Sequence, residues 1–209
     1  MSNSNFHRIG LYGGAFDPPH IGHHALATCA VAQLQLDVLY VVPTGDAWHK
    51  AQGLSQAHHR FAMAGLNFED ISQVVMDDTE IKRSGPSYTI DTLREVSGRH
   101  FGADLFLLLG ADQADRFETW KDWTLIAHMA SLAVAPRSLG PEEDAHPYEW
   151  HNHSQIKYTL LDMALKNVSA TDIRSDLKNG RHPGQALKPS VFQYIQHHHL
   201  YLDRHDRSL

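Results

Sequence analysis

Cysteine is almost missing: Cys29 is the only one in 209 residues. A lone cysteine excludes an internal disulfide framework and suits a reducing cytosol, and its place in an apolar helical pattern predicts a buried small residue rather than a nucleophile. No run approaches the ~18–20 apolar residues that spanning a bilayer takes, and the N-terminal stretch 1–8 has no signal-peptide core, so a soluble, cytoplasmic chain with no membrane partner is expected. Excess positive charge is lacking too. Lys and Arg number 18 against 24 Asp and Glu, a formal charge of −6, which leaves no basic footprint for a nucleic-acid partner, although local basic positions can still hold phosphates. No internal repeat is present. What remains is enough apolar residue, 42%, for one sizeable core, and the length predicts a single domain over 1–209 with a small helical portion from about 168. Histidine is abundant at 17. His197, His198 and His199 are consecutive, so on a helix they point in different directions and make a poor chelating set; solvated histidines at the negative end of a helix dipole are the ordinary account. Whether this histidine-rich C-terminus binds metal stays open.

Strand and helix signals alternate along the chain. Residues 37–42 and 104–110 are unbroken apolar runs, as are 131–135 and, more weakly, 72–76, the pattern of strands buried on both faces. A run at 9–12 precedes them and one at 156–161 follows. Helical spacing fills 21–36, 55–67, 87–100 and 114–128, and two more helical patterns lie beyond 161. This order predicts an α/β fold, a doubly wound and mostly parallel sheet, with a polar surface excursion over 136–154.

The chain is organised around Gly13-Gly14-Ala15-Phe16-Asp17-Pro18-Pro19-His20-Ile21-Gly22-His23-His24. It lies between the first strand and the first helix, where open α/β sheets hold nucleotide phosphates. Paired glycines let backbone approach a ligand, and the helix start offers unpaired N–H groups and partial positive charge. His20 and His23, three apart at a helix start, can face one side, where charge would develop. A second helix start reads Val168-Ser169-Ala170-Thr171-Asp172-Ile173-Arg174. Its hydroxyls and arginine suit a phosphate, while a purely structural N-cap is the competing account.

The pattern Gly-Gly-x-Phe-Asp-Pro-x-His-x-Gly-His resembles the signature of the nucleotidyltransferases related to class I aminoacyl-tRNA synthetases, most closely bacterial nicotinate-nucleotide adenylyltransferase, and the likeness runs from Ile9 to about Tyr201 with the motif order kept. It implies a Rossmann-like nucleotidyltransferase fold with Gly13, Gly14, Phe16, His20 and His23 on ATP. The family's Ile-Ser-Ser-Thr-x-x-Arg maps to Ser169, Thr171 and Arg174 on the triphosphate, with Ala170 departing from the commoner serine. The family's Pro-Ser-Tyr-Thr-x-x-Thr-Leu is matched at residues 86–93, so Tyr88 and Thr89 are expected to bind substrate, main-chain N–H groups there meeting the pyridine acid group. A helix start favours a carboxylate over a neutral amide, a physical reason to prefer nicotinate; Ser87 as a plain N-cap is the alternative.

Trp120 matches the family's stacking tryptophan, with Trp123 as the core-facing member of the pair, and Asp112 matches the aspartate on a ribose, or caps the next helix. Lys50, in the loop Pro43-Thr44-Gly45-Asp46-Ala47-Trp48-His49-Lys50, is a candidate mobile cation near the phosphates, though the loop lacks the paired asparagines or Pro-Pro-His of relatives. Arg137, just after a strand, is a candidate for the mononucleotide phosphate, a solvated loop arginine being the commoner fate.

The resemblance implies adenylyl transfer from ATP to nicotinate mononucleotide, giving deamido-NAD and pyrophosphate in NAD (pyridine nucleotide) biosynthesis. His20, His23 and Arg174 are the catalytic set, and Mg²⁺ is carried mainly by ATP phosphates rather than by protein ligands. Other phosphorylated acceptors (nicotinamide mononucleotide, phosphopantetheine) and a non-catalytic nucleotide sensor are the alternatives. A tRNA-charging relative is disfavoured by a short, acidic chain, and the oligomeric state is not legible.

Overall fold

The computed structural model describes residues 6–45, 54–136, 156–164 and 166–202. Six strands, β1 (Arg8–Gly14), β2 (Val38–Pro43), β3 (Val74–Met76), β4 (Asp104–Leu109), β5 (Ser131–Val134) and β6 (Tyr158–Leu160), form one sheet in the order β3-β2-β1-β4-β5-β6. Every pairing is parallel. β1 is central: Ile9 registers with Val38 on one side and Leu105 on the other. The chain winds outward from β1 to β3, then returns and winds the other way from β4, so the strand order reverses beside β1. Such a reversal, at the C-terminal ends of the strands, is where doubly wound sheets hold their ligands.

Period-two alternation splits the strand residues between two apolar layers. On one face Ile9, Leu11, Tyr40 and Leu107 pack with α4 (Thr89–Arg99) and α6 (Trp123–Met129) through Ile90, Leu93, Val96 and Ile126. On the other, Tyr12, Leu39, Val41 and Leu108 pack with α1 (Ile21–Gln33) and α2 (Ala57–Phe68) through Leu26, Ala30, Ala64 and Phe68. Gly10 lies in β1 on that second face. A Cβ there would sit 2.6 Å from Leu39 Cδ1 and 2.7 Å from Leu36 Cδ1, so only glycine lets these leucines close over the central strand. α7 (Ala170–Lys178) and α8 (Pro189–His197) join Met63 of α2 in a third cluster, through Ile173, Leu177, Val191 and Ile195.

The expected helix over 114–128 is not one helix. α5 (Ala111–Ala114), a 3₁₀ turn (Phe117–Thr119) and α6 replace it, with Asp122 left-handed at φ 55°. The reason is in the spacing. Phe117, Trp120, Trp123 and Ile126 recur every three residues, a period that drifts around an α-helix; breaking the helix lets all four meet the same core cluster. A short α3 (Thr79–Lys82) was not anticipated. Cys29 is half-buried rather than buried, its Sγ 3.3 Å from the Asp162 carbonyl. Among the described residues no helix is long and apolar enough to cross a membrane.

Candidate active site

The glycine-rich turn leaves the end of β1 and folds back through Phe16, whose φ of 49° is unusual for a bulky residue. Its surroundings hold it there: the ring is buried edge-on against Tyr12, His23 and Phe68, at centroid separations of 5.3, 5.2 and 5.8 Å. The peptide between Asp17 and Pro18 is cis. The chain then enters α1, with His20 as its N-cap in extended conformation. The His20 and His23 rings stack 3.7 Å apart at 28°. The His20 backbone N–H donates to His23 Nδ1 at 3.1 Å. With Nδ1 accepting, the neutral His23 ring carries its proton on Nε2, which makes that nitrogen a donor. Burial lowers His20 to about 4. Burial, then the neighbouring His20, holds His23 well below the ordinary histidine value. Two uncharged imidazoles therefore sit at a helix start. His20 Nδ1 is buried without a hydrogen-bond partner among the described residues.

The second helix start lies against the first. A Cβ on Gly22 would come 3.0 Å from Val168 Cγ1 and 3.1 Å from the His20 ring, so the absence of a side chain allows α1 and the entry to α7 to touch. Ser169 caps α7, its Oγ accepting from the Thr171 N–H at 3.1 Å and the Asp172 N–H at 3.4 Å. Arg174, one turn on, reaches back across the cleft. Its Nη1 donates to the Asp17 carbonyl at 2.6 Å and its Nη2 to Thr171 Oγ1 at 3.2 Å. Arg60 of α2, 2% exposed, braces the floor. Its guanidinium donates to the carbonyls of Ser55 (3.0 Å), Ala15 (3.0 Å) and Gly45 (3.3 Å). Those three acceptors belong to the α2 entry, the glycine-rich turn and the end of the β2 strand segment.

A second group of residues gathers around the start of α4. Its N-cap is Tyr88, not Ser87, and the Tyr88 side chain makes no capping hydrogen bond; Ser87 Oγ instead donates to the Glu80 carbonyl at 3.4 Å. Lys121 Nζ lies 4.1 Å from the centre of the Tyr88 ring, joining the α4 start to the Trp120 segment. Trp120 and Trp123 are both partly buried and both rest on Phe117, at 5.8 and 6.1 Å. The two tryptophans are thus not divided into a core ring and a free ring. Asp112 is exposed in the first turn of α5, just past the end of β4, where Gly110 is the N-cap and Asp112 is not.

These elements match known proteins along most of the chain. Residues 11–176 fit the family model described as cytidylyltransferase-like. A protein of Albidiferax ferrireducens named "Probable nicotinate-nucleotide adenylyltransferase" is 46% identical, over 93% of this chain and 98% of its own. One of the same name from Methylibium petroleiphilum is 41% identical, over 96% and 95%. The chain belongs to the nicotinate-nucleotide adenylyltransferase family. The Plasmodium falciparum nicotinic acid mononucleotide adenylyltransferase complexed with APC superposes with a TM-score of 0.77 over 93% of this chain and 97% of that one. The same enzyme complexed with NaAD gives 0.76. At 19% and 20% identity these two establish a common fold.

Within this adenylyltransferase fold, the residues singled out in the sequence divide by location. His20, His23, Ser169, Thr171 and Arg174 gather where the turn that starts at Gly13 and Gly14 runs through Asp17 into α1. Phe16 belongs to the core, which leaves only its main chain for a ligand. Tyr88, Thr89 and Trp120 form the second group, and Lys50 and Arg137 lie outside the described residues. Three residues that support the site were not anticipated: Arg60, Asp17 as a structural hub, and Tyr201, whose hydroxyl donates to Asp17 Oδ1 at 2.6 Å. Arg60 left a trace. It stands on the stripe 60, 63, 64, 67, 68 that faces the interior, where an arginine is out of place unless it is bonded.

Proposed function

We propose that this chain transfers the adenylyl group of ATP to nicotinate mononucleotide, releasing pyrophosphate and forming the deamido dinucleotide of NAD biosynthesis. The observation that carries the reading is the 2.6 Å contact from Arg174 to the Asp17 carbonyl, which brings residues 157 apart in sequence into one cleft with both histidines. A triphosphate is the ligand that two adjoining helix starts, an arginine and a pair of imidazoles would share.

In this reaction an oxygen of the mononucleotide 5′-phosphate forms a bond to the α-phosphorus in line. The bond from that phosphorus to the α,β-bridging oxygen breaks, and its electron pair leaves on pyrophosphate. The attacking phosphate is already anionic at neutral pH, so no protein nucleophile is required, and catalysis rests on positioning and charge stabilisation. His23 Nε2–H and His20 serve the α-phosphate, where charge grows; Ser169, Thr171 and Arg174 serve the β and γ end. Approach of a triphosphate favours the charged form of both imidazoles, so the pair can gain donors when ATP binds. Among the described residues no group of three or more His, Cys, Asp or Glu side chains could hold a metal ion. Magnesium enters as part of the MgATP substrate, held mainly by phosphate and water oxygens. The start of α4 suits a carboxylate, with Trp120 offering an indole face to the pyridine ring and Asp112 a carboxylate to a ribose. Lys50 and Arg137 are assigned to substrate phosphates. Cys29, the chain's one thiol, fits work in the cytoplasm.

The test is pyrophosphate release from MgATP with nicotinate mononucleotide, nicotinamide mononucleotide or phosphopantetheine as acceptor. The reading expects fastest release with the nicotinate acceptor. Release with another acceptor alone would move the chemistry to that acceptor, and silence with all three would leave a nucleotide sensor.

A further inference from the structure

We propose that Tyr201, in the turn after α8, is a positioning residue of the adenylyl-transfer site: it fixes the Asp17 peptide, which in turn holds Arg174. The proposal rests on the role assigned to Arg174 above. Asp17 is 2% exposed and gripped at three points. The Tyr201 hydroxyl donates to Oδ1 at 2.6 Å and the Ser55 backbone N–H to Oδ2 at 3.1 Å. The main-chain carbonyl of the same residue receives Arg174 Nη1 at 2.6 Å. A side chain held at both oxygens cannot turn, so the direction of its own carbonyl is set, and with it the resting place of the guanidinium. Only Pro18 and Pro19 separate Asp17 from His20, so the same grip steadies the entry to α1.

The turn is built to deliver this hydroxyl. Tyr201 has φ 66° and His199 φ 51°, left-handed conformations that a bulky residue keeps only where its surroundings over-determine it. Leu200 and the Tyr201 ring pack on the third apolar cluster, and the hydroxyl also lies 3.9 Å from Met63 Sδ. Burial, followed by Asp17, pushes the phenol up, so it remains a donor across the neutral range. The contact spans 184 residues of sequence and makes the end of the helical portion part of the phosphate site.

Tyr201→Phe removes the hydroxyl and keeps the ring. In steady-state assays of the full chain with MgATP and nicotinate mononucleotide, kcat is expected to fall about 10-fold, as for a misplaced transition-state donor, with KM for the mononucleotide nearly unchanged. In an Arg174→Ala background the same substitution should cost nothing further, because Tyr201 acts through Arg174. Tyr201→4-aminophenylalanine, which restores a donor in the same place, should recover most of the rate and keeps the test available if the Tyr201→Phe variant is unstable. An unchanged kcat, an equal loss in both backgrounds, or no recovery would overturn the coupling while leaving the site as described. Arg174→Ala turning over as fast as the native protein would overturn the role of Arg174 itself, and the proposal with it.

Discussion

At the scale of single residues, the chemistry depends on which atoms carry protons. The His20 N–H bond to His23 Nδ1 commits the neutral His23 ring to a donor at Nε2. His23→Ala should therefore lower kcat by about 10²–10³, as for loss of one transition-state donor, with little change in ATP binding; steady-state kinetics and ATP calorimetry measure the two effects separately. Weaker ATP binding with an undiminished kcat would contradict that role. The histidines also give stability a pH dependence. In the folded chain His20 lies at about 4 and unfolding returns it toward 6.5, so the unfolded chain binds more protons between those values. His23 is lowered in the same direction. Their contribution is fully present above about 6.5 and is lost as pH falls toward about 4. Thermal midpoints between pH 7 and 4.5 should fall less steeply for His20→Asn than for the native protein. Parallel curves would show that His20 keeps an ordinary pKa when folded.

At the scale of elements, two features decide how well the cleft is built. Gly22 is the contact between α1 and the entry to α7, and a methyl group there would press on Val168 and on the His20 ring together. Gly22→Ala should cost about 1–3 kcal/mol if the helices stay in place, read from denaturant unfolding, or raise KM for ATP if they part. A variant with native stability and native KM would mean the helix starts have room to spare. The broken segment from α5 to α6 carries the other feature. Trp120→Ala should raise KM for the pyridine mononucleotide and leave KM for ATP nearly alone; the reverse pattern would make Trp120 a support for the Phe117 core. How far the sequence reaches differs between these two places. The glycine-rich turn, the serine cap of α7 and all six strands were legible because each follows from local rules: glycine pairs, a hydroxyl before a helix, unbroken apolar runs. The break between α5 and α6 was not, because Ala114, Phe117 and Ile126 suit a helical stripe until the two tryptophans must reach the same core. The partners of Asp17 were not legible either, since Tyr201, Ser55 and Arg174 meet it only after the chain has folded back across most of its length.

At the scale of the whole molecule, a parallel sheet whose strand order reverses beside β1 gathers the starts of α1, α4, α5 and α7 along one edge. The histidines and Arg174 gather beyond the end of β1, and Tyr88 and Trp120 lie on the α4 side of the sheet, over the cluster that holds Phe117. One bound dinucleotide would have to extend from the first group to the second. The polar network at Asp17 and Arg60 ties the glycine-rich turn, the end of the β2 segment, the α2 entry, α7 and the C-terminal turn into one support. The most direct test is a crystal structure of this chain with a non-hydrolysable MgATP analogue and nicotinate mononucleotide. It should place the α-phosphate within hydrogen-bond distance of His20 and His23, the β- and γ-phosphates against Ser169, Thr171 and Arg174, and the pyridine ring on Trp120. A triphosphate held by only one of the two helix starts, or bound elsewhere on the molecule, would contradict the account.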